Sequence, residues 1–181
     1  MIHIYVYGNG QEDFVGTRVS RALSRYGKVK YEQKTKNITD EIGGNSFDYW
    51  IIDCTDAILP EYQTGIVLLK NSFVPSEHFK VPNGWVPVLE SRNTRVKEIL
   101  GPRSDIITCG TAATDTVSMA SLSDENGTVT LQKPIETIDG SLMEPREILV
   151  CFSGTCSPHQ ILPVVSVLLL CNLPSEEGYF L

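Results

Sequence analysis

Apolar residues along this chain gather in short continuous runs through its first half and alternate with polar ones only later. Ile2-His3-Ile4-Tyr5-Val6-Tyr7 is rich in β-branched and aromatic residues and stops at Gly8-Asn9-Gly10, which predicts a strand followed by a tight turn. Val15, Val19, Ala22, Leu23 and Tyr26 then recur at the spacing of one helix face, and Gly27 stands where a helix C-cap is expected. Strand, glycine turn and helix together open a βαβ unit. Further strands are expected over 28–33, 49–52, 65–69, 85–89 and 105–109, with a short helix over 93–100. Unbroken apolar runs of this kind suit the middle of a parallel sheet covered on both faces.

The pattern changes after Gly110. Residues 116–122 and 128–132 alternate apolar and polar across Asp124-Glu125-Asn126-Gly127, where the Asn-Gly pair signals a hairpin. A second hairpin is expected at Asp139-Gly140, and a strand over 147–152. Ser157-Pro158 has the form of a helix start, with Ser as N-cap and Pro at the first helical position. The apolar stretch 161–173 that follows is too short to span a bilayer and is broken by Pro163 and Asn172, so it reads as a buried helix. The fold class is α/β: a mostly parallel, Rossmann-like or P-loop-like sheet with helices, then an antiparallel hairpin section, then a closing hydrophobic helix. At 181 residues the chain fits one domain, divided as 1–110, 111–152 and 153–181.

Composition narrows the partners. A net charge of -7 with scattered basic residues argues against nucleic acid, because phosphate binding draws on clustered Lys and Arg. The one loose group, Lys28, Lys30, Lys34 and Lys36, reads as a solvated strand edge. Five cysteines without repeated spacing, most beside apolar runs, suit reduced thiols better than a disulfide framework. With no leader-like segment and no membrane span, the expected location is the cytoplasm.

Several groupings could carry chemistry. Asp53, Asp56 and Glu61 follow the third strand, where ligand crevices form in parallel sheets; solvated loop carboxylates are the plainer reading. Cys151, Cys156 and His159 lack a second ligand pair at zinc spacing. Cys109, His159 and Asp53 would make a nucleophilic triad only if the fold brought them together. Trp85 and Tyr62 could belong to a partner surface or to the core.

The order of these landmarks resembles the ATP-binding central domain of the Mur ligases. That family opens with a strand and a phosphate loop close to T-G-T-N-G-K-T, where this chain has Tyr7-Gly8-Asn9-Gly10-Gln11-Glu12-Asp13. Asp53 stands at the strand end that carries a magnesium-linked glutamate in the family, and Lys70-Asn71 at the strand end that finishes in T-N. Glu90-Ser91-Arg92-Asn93 matches V-L-N-x-D-D, Ile107-Thr108-Cys109-Gly110 matches I-T-F-G, and 154–162 is similar to G-R-H-N-x-x-N-A-L. The resemblance implies ATP and Mg²⁺ as cofactors and a ligand site at Gly8, Asn9, Gly10, Asp53 and Asn71.

The departures remove that chemistry. A phosphate loop needs its Lys for charge and its Ser/Thr for Mg²⁺. In this register those places hold Glu12 and Asp13. A helix N-terminus favours an anion by only about 0.3–1 kcal/mol, and two carboxylates near a phosphate cost several kcal/mol. Acidic residues there also serve simply to stabilise their own helix. The expectation is a degenerate, stand-alone domain with no catalytic residue, no metal site and no cofactor, lacking the family's flanking domains. It would act as a binding or assembly module with a protein partner or a second copy. The alternative is an enzyme or small-ligand binder that uses the same crevice for another substrate.

Overall fold

The computed structural model describes residues 1–8, 14–34, 46–55, 59, 63–76 and 78–181. The turn residues Asn9, Gly10, Glu12 and Asp13 lie outside them, as do Asp56, Glu61 and Tyr62. The parallel half runs β1 (Ile2–Tyr7), α1 (Phe14–Leu23), β2 (Val29–Lys34), β3 (Tyr49–Cys54), β4 (Gly65–Leu69), β5 (Trp85–Glu90), α2 (Thr94–Leu100) and β6 (Ile107–Gly110). There follow β7 (Val117–Leu122), β8 (Asn126–Leu131), β9 (Ile135–Glu136), β10 (Leu142–Met143), β11 (Arg146–Cys151), α3 (Pro158–Leu170) and β12 (Tyr179–Phe180). Each apolar run expected to be a strand is one.

Among the described residues ten strands form one sheet in the order β12-β11-β8-β7-β6-β5-β4-β1-β3-β2, and β9 and β10 pair separately. Within the ten, β8 alone pairs antiparallel with its neighbours β7 and β11. The chain crosses from β6 to its parallel neighbour β7 through residues 111–116 only. Buried Asp115 holds this short connection, accepting from the Ala112 N–H at 3.1 Å, while Thr116 N–H donates to Thr108 Oγ1 at 3.0 Å. Gly110 is required here, because any Cβ would strike the Asp115 carboxylate.

Helix α3 explains the core. Every residue from Ile161 to Leu170 is buried, as befits a helix that is apolar on all sides. Strands β4 to β7 lie along it on one side and α1 packs on it from another. The far edge of the sheet curls back to close the remaining side: Arg25, just past α1, lies 5.3 Å over the Phe180 ring of β12. Tyr179 beside it is fully buried and donates from its hydroxyl to the Leu173 carbonyl at 2.9 Å. The opposite sheet face carries an aromatic layer instead, with Trp85 edge-on to Tyr5 at 5.1 Å and Phe73 against Phe79 at 4.8 Å. Trp85 is therefore a core residue.

Two local expectations need correction. The Asn126-Gly127 pair starts β8 and does not form the turn, which is closed by Ser123 N–H donating to the Asn126 carbonyl at 2.8 Å. Gly127 does not have the positive φ that a type I′ turn requires; it is glycine because the Ser121 carbonyl lies 2.8 Å from where its Cβ would be, beside the bulge between Met119 and Ser121. Gly27 likewise needs no left-handed backbone, and a Cβ there would come within 2.7 Å of Asp48 Oδ2. The second hairpin is as expected, with Gly140 at φ 83° between β9 and β10. Ser157 caps α3, and its N–H donates to Gln160 Oε1 at 3.0 Å. No helix among the described residues is long and apolar enough to cross a membrane.

Candidate functional site

Ligand sites in parallel sheets form outside the carboxyl ends of the strands. At that edge β1, β3 and β4 lie side by side and deliver Gly8, Asp53 and Lys70 to one place. Lys70 Nζ donates to Asp53 Oδ1 at 2.8 Å, and the two side chains are 1% and 5% exposed. The Tyr31 hydroxyl donates to the other oxygen, Asp53 Oδ2, at 3.4 Å. Burial raises the Tyr31 pKa, so the phenol stays a donor. Behind the carboxylate stands α1, where Gly16 leaves room that a Cβ would fill by striking Asp53 Oδ2.

The Lys70 stem runs across Gly8. A Cβ on Gly8 would lie 2.6 Å from Lys70 Cβ and 2.9 Å from its Cδ, and Gly8 has φ 148°, a conformation other residues rarely adopt. Asn71, the next candidate, is exposed in the turn after β4. Of the five candidate residues, then, Gly8 and Asp53 come together through Lys70, Asn71 faces solvent, and Asn9 and Gly10 fall outside the described residues.

One step along the same edge, β5 and α3 meet. His159, in the first turn of α3 and half-exposed, places Nδ1 2.8 Å from Oε1 of buried Glu90 at the end of β5. A crevice of only about 10 Å³ lies between them, bordered by Ser91, Cys109, Thr111 and Leu162, which is room for roughly one water. Cys109 is sealed beneath: burial pushes its thiol up to about 12, and Sγ lies 3.4 Å from Ser166 Oγ on α3. The triad of Cys109, His159 and Asp53 is thereby ruled out, since Asp53 is bound to Lys70 and the Cys109 thiol is not available as a nucleophile. Among the described residues no group of three or more His, Cys, Asp or Glu could hold a metal, and all five cysteines are free.

A wider concavity lies at the other edge. A groove of about 820 Å³ opens at the amino ends of β4, β5 and β6, between residues 101–106 and the 133–138 segment. Arg103 frames it, donating to Asp105, to the Val81 carbonyl at 2.7 Å and to the Trp85 carbonyl at 2.9 Å.

This arrangement of strands matches known structures. The MurF ligase of Thermotoga maritima, solved in complex with ADP, superposes with a TM-score of 0.55 at 9% identity, covering 97% of this chain and 46% of that one. A murein peptide ligase, Mpl, of Psychrobacter arcticus 273-4 gives 0.50 at 10% identity, covering 94% and 44%. The chain has a Mur-ligase-like fold. It spans less than half the length of either ligase chain. No protein-family model matches the sequence, and no curated protein does.

Within that fold, sequence reasoning chose Asp53 and missed what it does. Lys70 was in view only as part of a strand-end match. Its signal was available: a lysine directly after the run Ile66-Val67-Leu68-Leu69 is placed to be buried, and a buried ammonium needs a carboxylate. The pairing of Glu90 with His159, 69 positions apart, left no comparable trace in the sequence.

Proposed function

We propose that this chain is a Mur-ligase-like module that binds or assembles with a protein partner and carries no ATP-dependent ligase chemistry. The observation that carries the reading is the ion pair of Asp53 and Lys70 at the carboxyl edge. The carboxylate best placed to serve a metal–nucleotide complex is already neutralised by the chain's own lysine, 2.8 Å away and out of solvent. Glu90 and His159 occupy the next position along that edge, and the space left there is about the size of one water. The charge at Glu12 and Asp13 supports the same reading from the sequence. A small-ligand or enzymatic role for Gly8, Gly10 and Asp53 finds less support, because Lys70 lies on Gly8 and holds Asp53.

Isothermal titration of the full chain with ATP and Mg²⁺ tests the reading. Heats no larger than dilution are expected, and saturable binding in the micromolar range would overturn it. Light scattering over a concentration series then separates a second copy of this chain from a different protein as the partner.

A further inference from the structure

The Asp53 carboxylate is buried against Lys70, Tyr31 and Gly16. Lys70 Nζ takes Oδ1 at 2.8 Å, the Tyr31 hydroxyl takes Oδ2 at 3.4 Å, and Gly16 of α1 backs against Oδ2. A divalent cation held by a carboxylate sits about 2.0–2.6 Å from its oxygen. On Oδ1 it would have to share the space of the lysine ammonium, and two positive charges would then compete for one oxygen. The ammonium is not placed to swing aside. Its stem is seated on Gly8, with Cβ and Cδ 2.6 and 2.9 Å from where a Gly8 side chain would begin, and the side chain is 1% exposed.

A magnesium ion, which the fold would suggest at this edge, therefore does not fit these residues. We infer that Lys70 is a built-in replacement for a divalent cation: its ammonium takes the position on Asp53 that a metal would occupy, and it makes this edge of the sheet electrically complete without one. The inference deepens the functional reading and rests on it only for the location. Lys70 is then the residue that sets the site's specificity against metals. Its removal, with Asp53 kept, should create a cation site.

The test uses Mn²⁺ alone, without nucleotide, followed by electron paramagnetic resonance on the full chain. The variants are wild type, Lys70→Ser, Lys70→Gln, Asp53→Asn and the Asp53→Asn/Lys70→Ser double variant, with folding checked by circular dichroism. Wild type should leave the free Mn²⁺ signal undiminished. Lys70→Ser should bind Mn²⁺ more tightly than wild type by about tenfold or more, and the double variant should lose that gain. Lys70→Gln keeps the stem over Gly8 and stands in if the serine variant does not fold. Folded Lys70 variants that bind no more Mn²⁺ than wild type would overturn the inference. So would saturable Mn²⁺ binding by wild type that disappears in Asp53→Asn, a result that decides the matter even if neither Lys70 variant folds. Because nucleotide is absent, ATP binding in the calorimetry could sink the functional reading while leaving this one standing, and the reverse also holds.

Discussion

Asp139, in the turn between β9 and β10, accepts from Thr137 Oγ1 at 2.6 Å, from Asn172 Nδ2 at 2.9 Å and from the Ser141 N–H at 3.0 Å. Those donors, the Thr137 hydroxyl first, hold its carboxyl well below the usual carboxylate range. A depressed folded-state pKa means that the ionised form is favoured on folding, so the stability it adds is complete above about pH 4 and is lost as the pH falls below that. Asp139→Asn should accordingly be less stable than wild type at pH 7, with the difference shrinking in urea melts at progressively lower pH. A difference that stayed constant with pH would argue against the charge as the cause. Gly8 carries a different kind of constraint. Gly8→Ala combines an unfavourable φ with a collision against the Lys70 stem, and strain of that type costs on the order of 1–3 kcal/mol before the clash is counted. Its urea midpoint should fall below that of an alanine placed at Gly154, which shares a positive φ of 81° but has nothing within 4 Å, so the difference reads the collision with Lys70.

At the level of elements, α3 was the most legible part of the chain and the hairpin turn the least. Ser157-Pro158 followed by an apolar stretch specifies a capped, buried helix through local chemistry alone, and the helix begins where those residues put it. The reciprocal bond from Ser157 N–H to Gln160 Oε1 makes Gln160 part of the cap. Gln160→Ala should cost about 0.5–1.5 kcal/mol in chemical denaturation, with the secondary-structure content unchanged. The Asn126-Gly127 signal misled because an Asn-Gly pair predicts a turn only where both residues take positive φ. Here a bulge in the facing strand brought the Ser121 carbonyl close and demanded a glycine for space. That demand comes from a neighbouring strand and is not written in the local sequence. The site shows the same division. Asp53 was legible as a carboxylate ending an apolar strand. Its engagement by Lys70 depends on β1 lying between β3 and β4, and strand order is a tertiary fact.

Across the whole molecule, the sheet is bent round α3 so far that its last strand meets the end of α1. The contact is made by few groups: Phe180 under Arg25, and Tyr179 buried with its hydroxyl on Leu173. Burial in the same region pushes the Cys171 thiol up to about 12, which keeps it protonated and slow to react at neutral pH. Removing residues 174–181 should open this closure. Cys171 should then react with a thiol reagent such as DTNB at pH 8 at least several times faster than in the full chain, while Cys109, enclosed at the middle of the sheet, stays protected. Equal protection of Cys171 in both proteins would show that the edge contact does not seal the core.

The full enclosure of α3 also bears on how the protein is made. Strands β1 to β7 leave the ribosome well before residues 158–170, so for much of synthesis the sheet face destined for α3 has nothing to cover it. The core cluster that contains α3 also includes Ile4, Ile66, Val88 and Val117. In the finished molecule α3 is what covers that face, packing along β4 to β7. A chain cut before α3 should therefore leave that face open and bind the dye ANS more strongly than the full chain, and equal dye binding by the two would show that α3 is not what covers it.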